Sequence, residues 1–332
     1  IQVADREWVL CLLFHHIAFD EWSVDVLFEE IEALYRQERG EDADDADDAR
    51  IEDWKQTYQV AYRNLTAQLE AGEIEDPTFN TDGWLSSFTG ERYEQEEMRE
   101  WLQSTLERVR GLKLGRTLEI GCGTGMILFE MAPHATEYVG VDLTHSALAY
   151  IDAVRDQMDA DLSHVSLIHG RADEIGDIEG EFDTIIINSV AQYFPHHKYL
   201  EEVIRAACTK LRIGGRFYMG DLRDARTGFA FHAAVNMRRT TPETTAGSLR
   251  ERTAQRMLND DELMISPQYL AHIARGLPNI SHIDFNYQRA KHRTEMSIFR
   301  FGATLHACAH EPYRAPEAVV SGKRDSLDTS SL

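Results

Sequence analysis

Three glycines stand at alternate positions, Gly121, Gly123 and Gly125, directly after a short apolar run in the segment RTLEIGCGTG, residues 116–125. An apolar run that ends in such a turn is typical of a parallel strand that passes the chain to a helix beside a bound cofactor. A dinucleotide-binding turn would have its third glycine one position later, where Met126 stands. The spacing therefore disfavours a pyrophosphate ligand.

Two carboxylates near this turn narrow the choice of ligand. Glu119, two residues before the first glycine, would repel a phosphate but suits a ligand with ammonium and sulfonium groups. Asp142 follows the next predicted strand, ~20 residues beyond the turn, where an acidic residue accepts ribose hydroxyls. We therefore expect S-adenosylmethionine as the cofactor and S-adenosylhomocysteine as the product. The alternative is a glycine turn in an unrelated doubly wound domain, with Asp142 capping a helix.

Further cofactor contacts are expected after the later strands and from the segment that precedes the glycine turn. Asp173, in HGRADEI, would lie beside the adenine, although a plain helix cap would have the same sequence. The other residues expected at the cofactor are Tyr62, Trp84, Cys122, Leu143, Ala172, Asn188 and Ser189.

The composition is that of a globular protein with room for about two domains. A formal net charge of −23 disfavours nucleic acid as a partner, because phosphate binding needs clustered Lys and Arg. Four cysteines without C-x-x-C or His-rich spacing predict reduced, cytoplasmic thiols and neither a disulfide framework nor a metal site. We expect no membrane span and no signal peptide. The first residue is Ile1 rather than Met, which suggests a segment of a longer protein.

Apolar periodicity from the glycine strand onward predicts alternating strands and helices, and hence a parallel α/β sheet covered on both faces. Predicted strands lie at 137–142, 165–169 and 182–188 and in GGRFYMGD, and predicted helices at 124–133, 146–158 and 198–210. Two last strands, 281–288 and 295–306, are separated by polar residues and predict a terminal antiparallel hairpin. Residues 226–275 are helical and Arg-rich, which predicts a cap insertion beyond a strand end.

The segment before the sheet contains aromatic residues at helical spacing. Trp54, Tyr58 and Tyr62 stand four residues apart in a helix predicted over 51–69. Together with Trp84 they could form a lid over the cofactor, and the alternative is a packed aromatic stripe. The preceding acidic run RGEDADDADDAR is a linker or a frayed helix start.

Six motifs resemble, in order, the methyltransferase domain embedded in nonribosomal peptide synthetases. They are GWLSSFTGERYEQEEMREW, LEIGCGTG, NSVAQYFPHHKYL, GGRFYMGDLRDARTGFAFH, DDELMISPQYL and LPNISHIDFNYQRAKHRTEMSIFRF. The resemblance covers about residues 50–308 and implies a class I methyltransferase, Rossmann-like fold. It also implies methyl transfer to the nitrogen of a carrier-tethered aminoacyl thioester, with some members methylating oxygen or carbon. Such domains usually interrupt or follow an adenylation domain, and this sequence contains none.

The N-terminal segment HHIAFDEWS is similar to the H-H-x-x-x-D motif of condensation domains. The matching residues are His15, His16, Asp20 and Ser23. Only a small piece of that fold is present, so we expect a remnant without condensation activity. The predicted domains are this remnant at 1–40, a linker and N-terminal helical lid at 41–112, the methyltransferase domain at 113–310 with its cap insertion at about 226–275, and a disordered tail at 311–332.

Methyl transfer is an in-line displacement whose nucleophile must be aligned, dry and unprotonated. His232, in FAFHAAV, is the expected general base because its ordinary pKa is near neutrality, and the alternative is a structural helix histidine. Asp221 and Arg223 follow a strand and could act near the methyl group or merely pair with each other. The remaining residues expected there are Asn188, Gln192 and Tyr193.

The expected activity is N-methylation of a carrier-tethered aminoacyl or peptidyl group. Two alternatives stay open: O-methylation of a hydroxyl or carboxyl group on a small biosynthetic intermediate, and a non-catalytic interaction module. An acidic carrier domain would need a basic surface. Five arginines of the cap could supply one, or could form a solvated face that balances Glu243, Glu251 and Asp260. They are Arg238, Arg239, Arg250, Arg252 and Arg256.

Overall fold

The computed structural model describes residues 2–4, 7–8, 43–241 and 243–308. The chain divides into two compact units, residues 1–49 and 50–332. In the first unit, strand β1 (Gln2–Ala4) pairs antiparallel with β2 (Glu7–Trp8). Outside the described residues lie the condensation-like motif with His15, His16, Asp20 and Ser23, and the predicted tail.

The aromatic segment before the sheet forms two helices rather than the single one predicted. Helix α1 (Ala43–Tyr62) begins within the acidic run, and α2 (Leu65–Glu70) follows after a short break. Asn64 lies at the break, and asparagine favours turns because its side chain competes for backbone hydrogen bonds. Leu65 and Leu69 are buried and anchor α2 in the main hydrophobic core.

Helix α3 (Gln95–Arg110) leads into the sheet. Glu96 and Glu97 in its first turn complement the positive end of the helix dipole. The Glu94 amide also donates to Glu97 Oε2 at 3.1 Å, which closes the start of the helix. The buried face of α3 consists of Met98, Trp101, Leu102, Thr105, Leu106 and Val109.

Seven strands of the described part of the chain form one mixed sheet. The strands are β3 (Arg116–Ile120), β4 (Glu137–Asp142), β5 (Val165–His169), β6 (Phe182–Asn188), β7 (Leu211–Arg223), β8 (Ile280–Tyr287) and β9 (Arg300–Ala307). Their spatial order is β5-β4-β3-β6-β7-β9-β8. Neighbours from β5 to β7 pair in parallel, whereas β9 is antiparallel to β7 and β8. The predicted doubly wound sheet with a terminal antiparallel hairpin is confirmed.

Helices alternate with the parallel strands and cover them. They are α4 (Met126–Met131), α5 (His145–Arg155) and α6 (His197–Thr209). Strand β6 lies between β3 and β7, and every one of its residues is buried. Its sequence FDTIIIN is largely apolar because both faces of a central parallel strand are shielded from water.

The strand predicted over residues 295–306 starts as a helix, which corrects its first part. Helix α10 (Glu295–Ile298) precedes β9. The Thr294 amide donates to Ser297 Oγ at 3.1 Å, one half of a capping box that starts a helical turn. This turn buries the Glu295 side chain, to which the Ser87 amide donates at 3.0 Å.

The cap that follows β7 is helical, as its sequence predicts. Its helices are α7 (Gly228–Met237), α8 (Ala246–Leu258) and α9 (Pro267–Arg275). Thr245 and Ser266 cap the starts of α8 and α9 by accepting backbone amides, each at 3.1 Å. None of the helices that the structure describes is both long enough and apolar enough to cross a membrane.

Candidate active site

The glycine turn lies at the carboxyl end of β3. The strand order reverses at β3, because β4 and β5 are added on one side of it and β6 and β7 on the other. Strand β4 flanks β3 on one side and β6 flanks it on the other. Open α/β sheets bind ligands at such switch points. A cavity of about 320 Å³ opens here. The predicted cofactor-binding residues that line it are Tyr62, Trp84, Glu119, Gly121, Cys122, Gly123, Asp142, Leu143, Ala172, Asn188 and Ser189.

Two predicted cofactor residues lie beside the cavity without lining it. Gly125 has a φ of 88°, and a methyl group on it would come within 2.7 Å of the Phe129 ring, so this glycine serves the turn. The Asp173 carboxylate accepts hydrogen bonds from Arg171 at 2.9 Å and from the Tyr199 hydroxyl at 2.8 Å. The structure therefore directs Asp173 toward these partners and not toward the cavity.

Asp142 links the glycine turn to the end of β4. Its Oδ2 accepts the Gly123 amide at 2.8 Å, and its Oδ1 accepts both the amide and the hydroxyl of Thr144, each at 2.8 Å. Burial raises the pKa of Asp142 despite these hydrogen bonds. A carboxylate offers about four acceptor positions, so acceptor capacity remains for a ligand hydroxyl.

Glu119 lies in the middle of the sheet at the floor of the cavity. Its side chain is buried, and the Tyr138 hydroxyl donates to its Oε2 at 2.7 Å. Burial raises the pKa of Glu119 to about 8, because desolvation outweighs the hydrogen bond and Asp142 adds a second negative charge nearby. A cation beside this carboxyl would offset the desolvation and favour its ionised form.

The aromatic residues predicted as a lid form one wall of the cavity. Trp54, Tyr58, Tyr62 and Trp84 all line it. The ring centroids of Trp54 and Tyr193 are 4.5 Å apart, and those of Tyr58 and Tyr193 are 5.3 Å apart. Burial raises the pKa of the Tyr58 and Tyr62 hydroxyls, so both stay neutral. Movement of this wall as a lid stays a prediction.

Polar groups follow β6 and β7 at the same edge of the sheet. Asn188 and Ser189 line the cavity, and Asn188 Oδ1 is buried with no hydrogen-bond partner in the described part of the chain. Ser189 and Asp221 have left-handed backbones, with φ of 57° and 58°. Asp221 Oδ2 accepts Ser189 Oγ and Arg300 Nη1, each at 2.5 Å. Such strained residues at adjacent strand ends are typical of functional sites.

Three of the predicted catalytic residues do not reach the cofactor cavity. Asp221 and Arg223 also do not pair with each other: Arg223 forms a two-point ion pair with Asp260, at 2.9 and 2.7 Å. His232 is buried, with Nε2 2.9 Å from Asp260 Oδ2. Arg223 and His232 line a second cavity of about 640 Å³. The structure therefore places His232 in a charged network and not beside the cofactor cavity.

The remaining catalytic candidates behave differently from one another. Asn188 and Tyr193 line the cofactor cavity, whereas Gln192 is almost fully buried and is absent from its lining. Burial raises the pKa of Tyr193, and the negative charge of Glu262 adds to the effect. Tyr193 is therefore a neutral hydroxyl that can donate or accept a hydrogen bond.

Sequence reasoning did not predict the wall that separates the two cavities. Both cavities are lined by Trp54, Ser87, Glu262, Glu295 and Arg300. Arg300 is buried, yet the carboxylates of Asp221 and Glu262 raise its pKa above the ordinary arginine value. Trp54 was predicted as a lid residue, and the other four lie within motifs of the family resemblance, but no spacing indicated that the five would meet. They come from separate segments that only the fold brings together.

Residues 118–217 match the family described as methyltransferase domain. This part of the chain is a methyltransferase domain. The match begins in β3, includes the glycine turn and Asp142, and ends in β7. The seven-stranded mixed sheet to which this segment belongs extends beyond the match through β8 and β9, and it has the class I, Rossmann-like fold of S-adenosylmethionine-dependent methyltransferases.

Longer similarity extends to segments of biosynthetic synthetases. The chain is 34% identical over 296 residues to the chondramide synthase cmdD of Chondromyces crocatus, which covers 89% of this chain and 7% of that protein. It is 30% identical over 261 residues to the nonribosomal peptide synthetase kk1B of Curvularia clavata, covering 77% and 2% respectively. The chain thus spans only a small part of the length of these relatives.

A solved structure resembles the methyltransferase domain at lower identity. It is an S-adenosylmethionine-dependent methyltransferase from Clostridium acetobutylicum ATCC 824, with 14% identity and a TM-score of 0.45. The alignment covers 63% of this chain and 92% of that protein.

Proposed function

We propose that this chain transfers the methyl group of S-adenosylmethionine to the amino nitrogen of an aminoacyl or peptidyl group tethered to a carrier protein. The observation that carries the proposal is the acidic character of the cavity at the switch point. Glu119 and Asp142 lie at its glycine turn, and Glu262 and Glu295 lie in the wall shared with the second cavity. A cationic cofactor and a cationic amine both suit such surroundings.

The residues at the glycine turn fit S-adenosylmethionine group by group. Asp142 has acceptor capacity for a ribose hydroxyl, and Glu119 can ionise against the cofactor's ammonium group. Leu143 and Ala172 offer apolar surface for the adenine, and Gly123 leaves room, since a methyl group on it would meet no atom closer than 3.9 Å. When bound, S-adenosylmethionine supplies an electrophilic methyl group on a sulfonium sulfur.

The chain's own contribution to the reaction is to exclude water and to orient the two reactants. The aromatic wall formed by Trp54, Tyr58, Tyr62 and Trp84 shields the cavity. Asn188 offers its unpartnered amide oxygen to a donor group in the cavity. The rigid pair of Asp221 and Arg300 fixes the strand ends behind it. Alignment and desolvation of this kind account for much of the rate of a displacement reaction.

The synthetase relatives support a carrier-bound substrate. The relative kk1B is described as a nonribosomal peptide synthetase, and the similarity to it covers most of this chain. We extend that context to this chain as part of the proposal. O-methylation of a hydroxyl group is the second candidate, and the acidic shared wall favours the amine over it.

The test is to offer the protein a carrier loaded with an amino acid and, separately, the same carrier loaded with the corresponding hydroxy acid. We expect mass spectrometry to show a gain of one methyl group on the amino acid only. If only the hydroxy acid is methylated, the proposal of N-methylation is wrong and O-methylation takes its place. Cofactor binding without any methylated product would instead favour a non-catalytic module.

A further inference from the structure

The two cavities share one wall, and away from this wall they are lined by different sets of residues. The cofactor-binding candidates Glu119 and Asp142 line only the smaller cavity. The larger cavity is bounded by the cap, with Phe231 and Gln255 in its lining. A methyl acceptor that enters from the cap side would meet the cofactor at the shared wall.

Of the charged side chains in that wall, Glu262 is the one with acceptor capacity to spare. Glu295 accepts the Ser87 amide at 3.0 and 3.1 Å and is itself buried. Arg300 is committed to Asp221 at 2.5 Å. Glu262 receives one contact, from Arg223 Nη1 at 3.1 Å, and 30% of its side chain is exposed.

The charge of Glu262 is not cancelled by its arginine neighbour. Arg223 forms its two-point ion pair with Asp260, which His232 also contacts. Burial opposes ionisation of Asp260, but the hydrogen bonds from His232 and Arg223 lower its pKa below the ordinary range. Arg223 thus reaches Asp260 through two nitrogens and Glu262 through only one. The other guanidinium near Glu262 belongs to Arg300, which pairs with Asp221.

Aromatic faces complete the surroundings of Glu262. Trp54 lies in the shared wall, and Tyr58 and Tyr193 stand close enough to Glu262 for its charge to raise the pKa of both hydroxyls, after the larger effect of burial. Indole and phenol rings attract cations electrostatically. The titratable or charged neighbours of Glu262 are Tyr58, Tyr193, Arg223, Asp260, Glu295 and Arg300.

We propose that the larger cavity is the acceptor chamber and that Glu262, beside Trp54 and Tyr193, binds the substrate ammonium group and accepts its proton. This inference rests on the proposed function. The ammonium N–H bond breaks and its proton goes to the Glu262 carboxylate. The freed nitrogen lone pair then forms the N–C bond while the C–S bond breaks, and its electron pair stays on sulfur. The methylated nitrogen carries the resulting positive charge until it loses a second proton to solvent.

The first experiment replaces the carboxylate by an isosteric amide, Glu262→Gln. With an amine substrate at pH 7 we expect kcat/KM to fall about 100-fold, the usual loss when a general base is removed. The deficit should shrink toward pH 9, because deprotonated amine becomes available from solution. Cofactor affinity measured by calorimetry should stay within twofold, which shows that the variant is folded. Glu262→Asp should recover part of the activity.

The control is Glu202→Gln, the same chemical change at an exposed position of α6. It should behave as the wild type. Amine methylation by Glu262→Gln within twofold of the wild type at pH 7 would overturn the role of Glu262 and leave N-methylation itself intact. Failure of the wild type to methylate any amine would instead refute the proposed function.

A second variant tests the chamber independently of the proton transfer. Gln255 lines the larger cavity from α8 and is exposed, so Gln255→Trp reduces the volume with little risk to the core. We expect the KM for a bulky aminoacyl substrate to rise at least fivefold while cofactor affinity is unchanged. An unchanged KM for substrates of every size would show that the acceptor does not use this cavity.

Discussion

The Tyr138 hydroxyl donates a hydrogen bond of 2.7 Å to Glu119 Oε2 in a position that is closed to solvent. Glu119 lies on β3 and Tyr138 on the neighbouring strand β4, two residues before Gly140, the register partner of Glu119. The hydrogen bond fixes the carboxyl beneath the glycine turn but does not compensate its desolvation. A cationic ligand would supply the missing compensation.

Cofactor binding should therefore release a proton from Glu119. The pKa of about 8 in the free protein must fall when an ammonium group arrives, so affinity rises as pH increases toward 8, by at most tenfold per pH unit for one proton. Calorimetry in buffers of different ionisation enthalpy measures the release directly. Glu119→Gln should lose it, and this comparison separates Glu119 from the cofactor's own amino group. Equal proton release by both proteins would contradict the assignment.

Asp142→Ala should weaken cofactor binding by about 1–3 kcal/mol, because hydrogen bonds to a charged acceptor are lost. Part of the effect would come through the turn, since Asp142 also holds the Gly123 amide. Calorimetry gives the affinity, and thermal unfolding reports the structural contribution. Asp152→Ala, at an exposed residue paired with Arg155, is the matched control. Wild-type affinity in Asp142→Ala would remove this residue from the site.

Tryptophan fluorescence should change when the aromatic wall closes over the cofactor. Trp54 and Trp84 line the cavity, and Trp84 also packs on Trp101 with ring centroids 4.8 Å apart. Lid closure that excludes water would alter the polarity around these rings. Trp54→Phe should reduce the signal while cofactor binding persists. A spectrum that does not respond to saturating cofactor would count against a moving lid.

The positive charge of the cap arginines should speed the docking of an acidic carrier domain. Arg239 and Arg250 are exposed and lie outside the lining of both cavities. Changing both to Glu should slow methylation of a carrier-bound substrate at low salt, because opposite charge accelerates encounter. Cofactor affinity and turnover of a small free thioester should stay the same. The matched control reverses two exposed arginines near β8, Arg289 and Arg293. Equal loss in both double variants would mean that docking does not use the cap.

The exact bounds of several parallel strands could be predicted, because the local sequence alone determines where they begin and end. Strands β4, β5 and β6 have the bounds that were predicted, because each is a short apolar run between turns and is shielded by helices. The helix at residues 295–298 could not be predicted, because the Thr294 capping box overrides the strand-like pattern there. Local signals at the ends of elements are the weakest part of such predictions.

The glycine turn at the smaller cavity could be predicted from a contiguous motif, whereas the wall shared with the larger cavity could not. Glu262 and Arg300 are far apart in sequence and meet only because β9 inserts between β7 and β8 and the cap folds over them. His232 has a suitable residue type for a general base, but its neighbour Asp260 could not be predicted from the sequence. A residue's chemistry can be read from sequence, but its neighbours cannot.

Strand pairing also gathers residues that sequence spacing did not connect. His282 and His306 are register partners on β8 and β9, and their rings stack with centroids 3.9 Å apart. Asp284 lies within 2.7 Å of His306 Nε2, so three side chains of metal-ligand type converge, away from both cavities. The sequence analysis predicted no metal site from residue spacing, and it therefore did not predict this cluster.

The wall formed by Trp54, Tyr58 and Tyr62 belongs to a helix that ends well before the first strand of the sheet. The upstream junction of any shortened or transplanted version of this chain must therefore be chosen with care. A segment that starts at β3 would carry the glycine turn and the sheet but lack the aromatic wall of the cavity. The junction belongs upstream of α1, even though the recognisable motif begins only at Leu118.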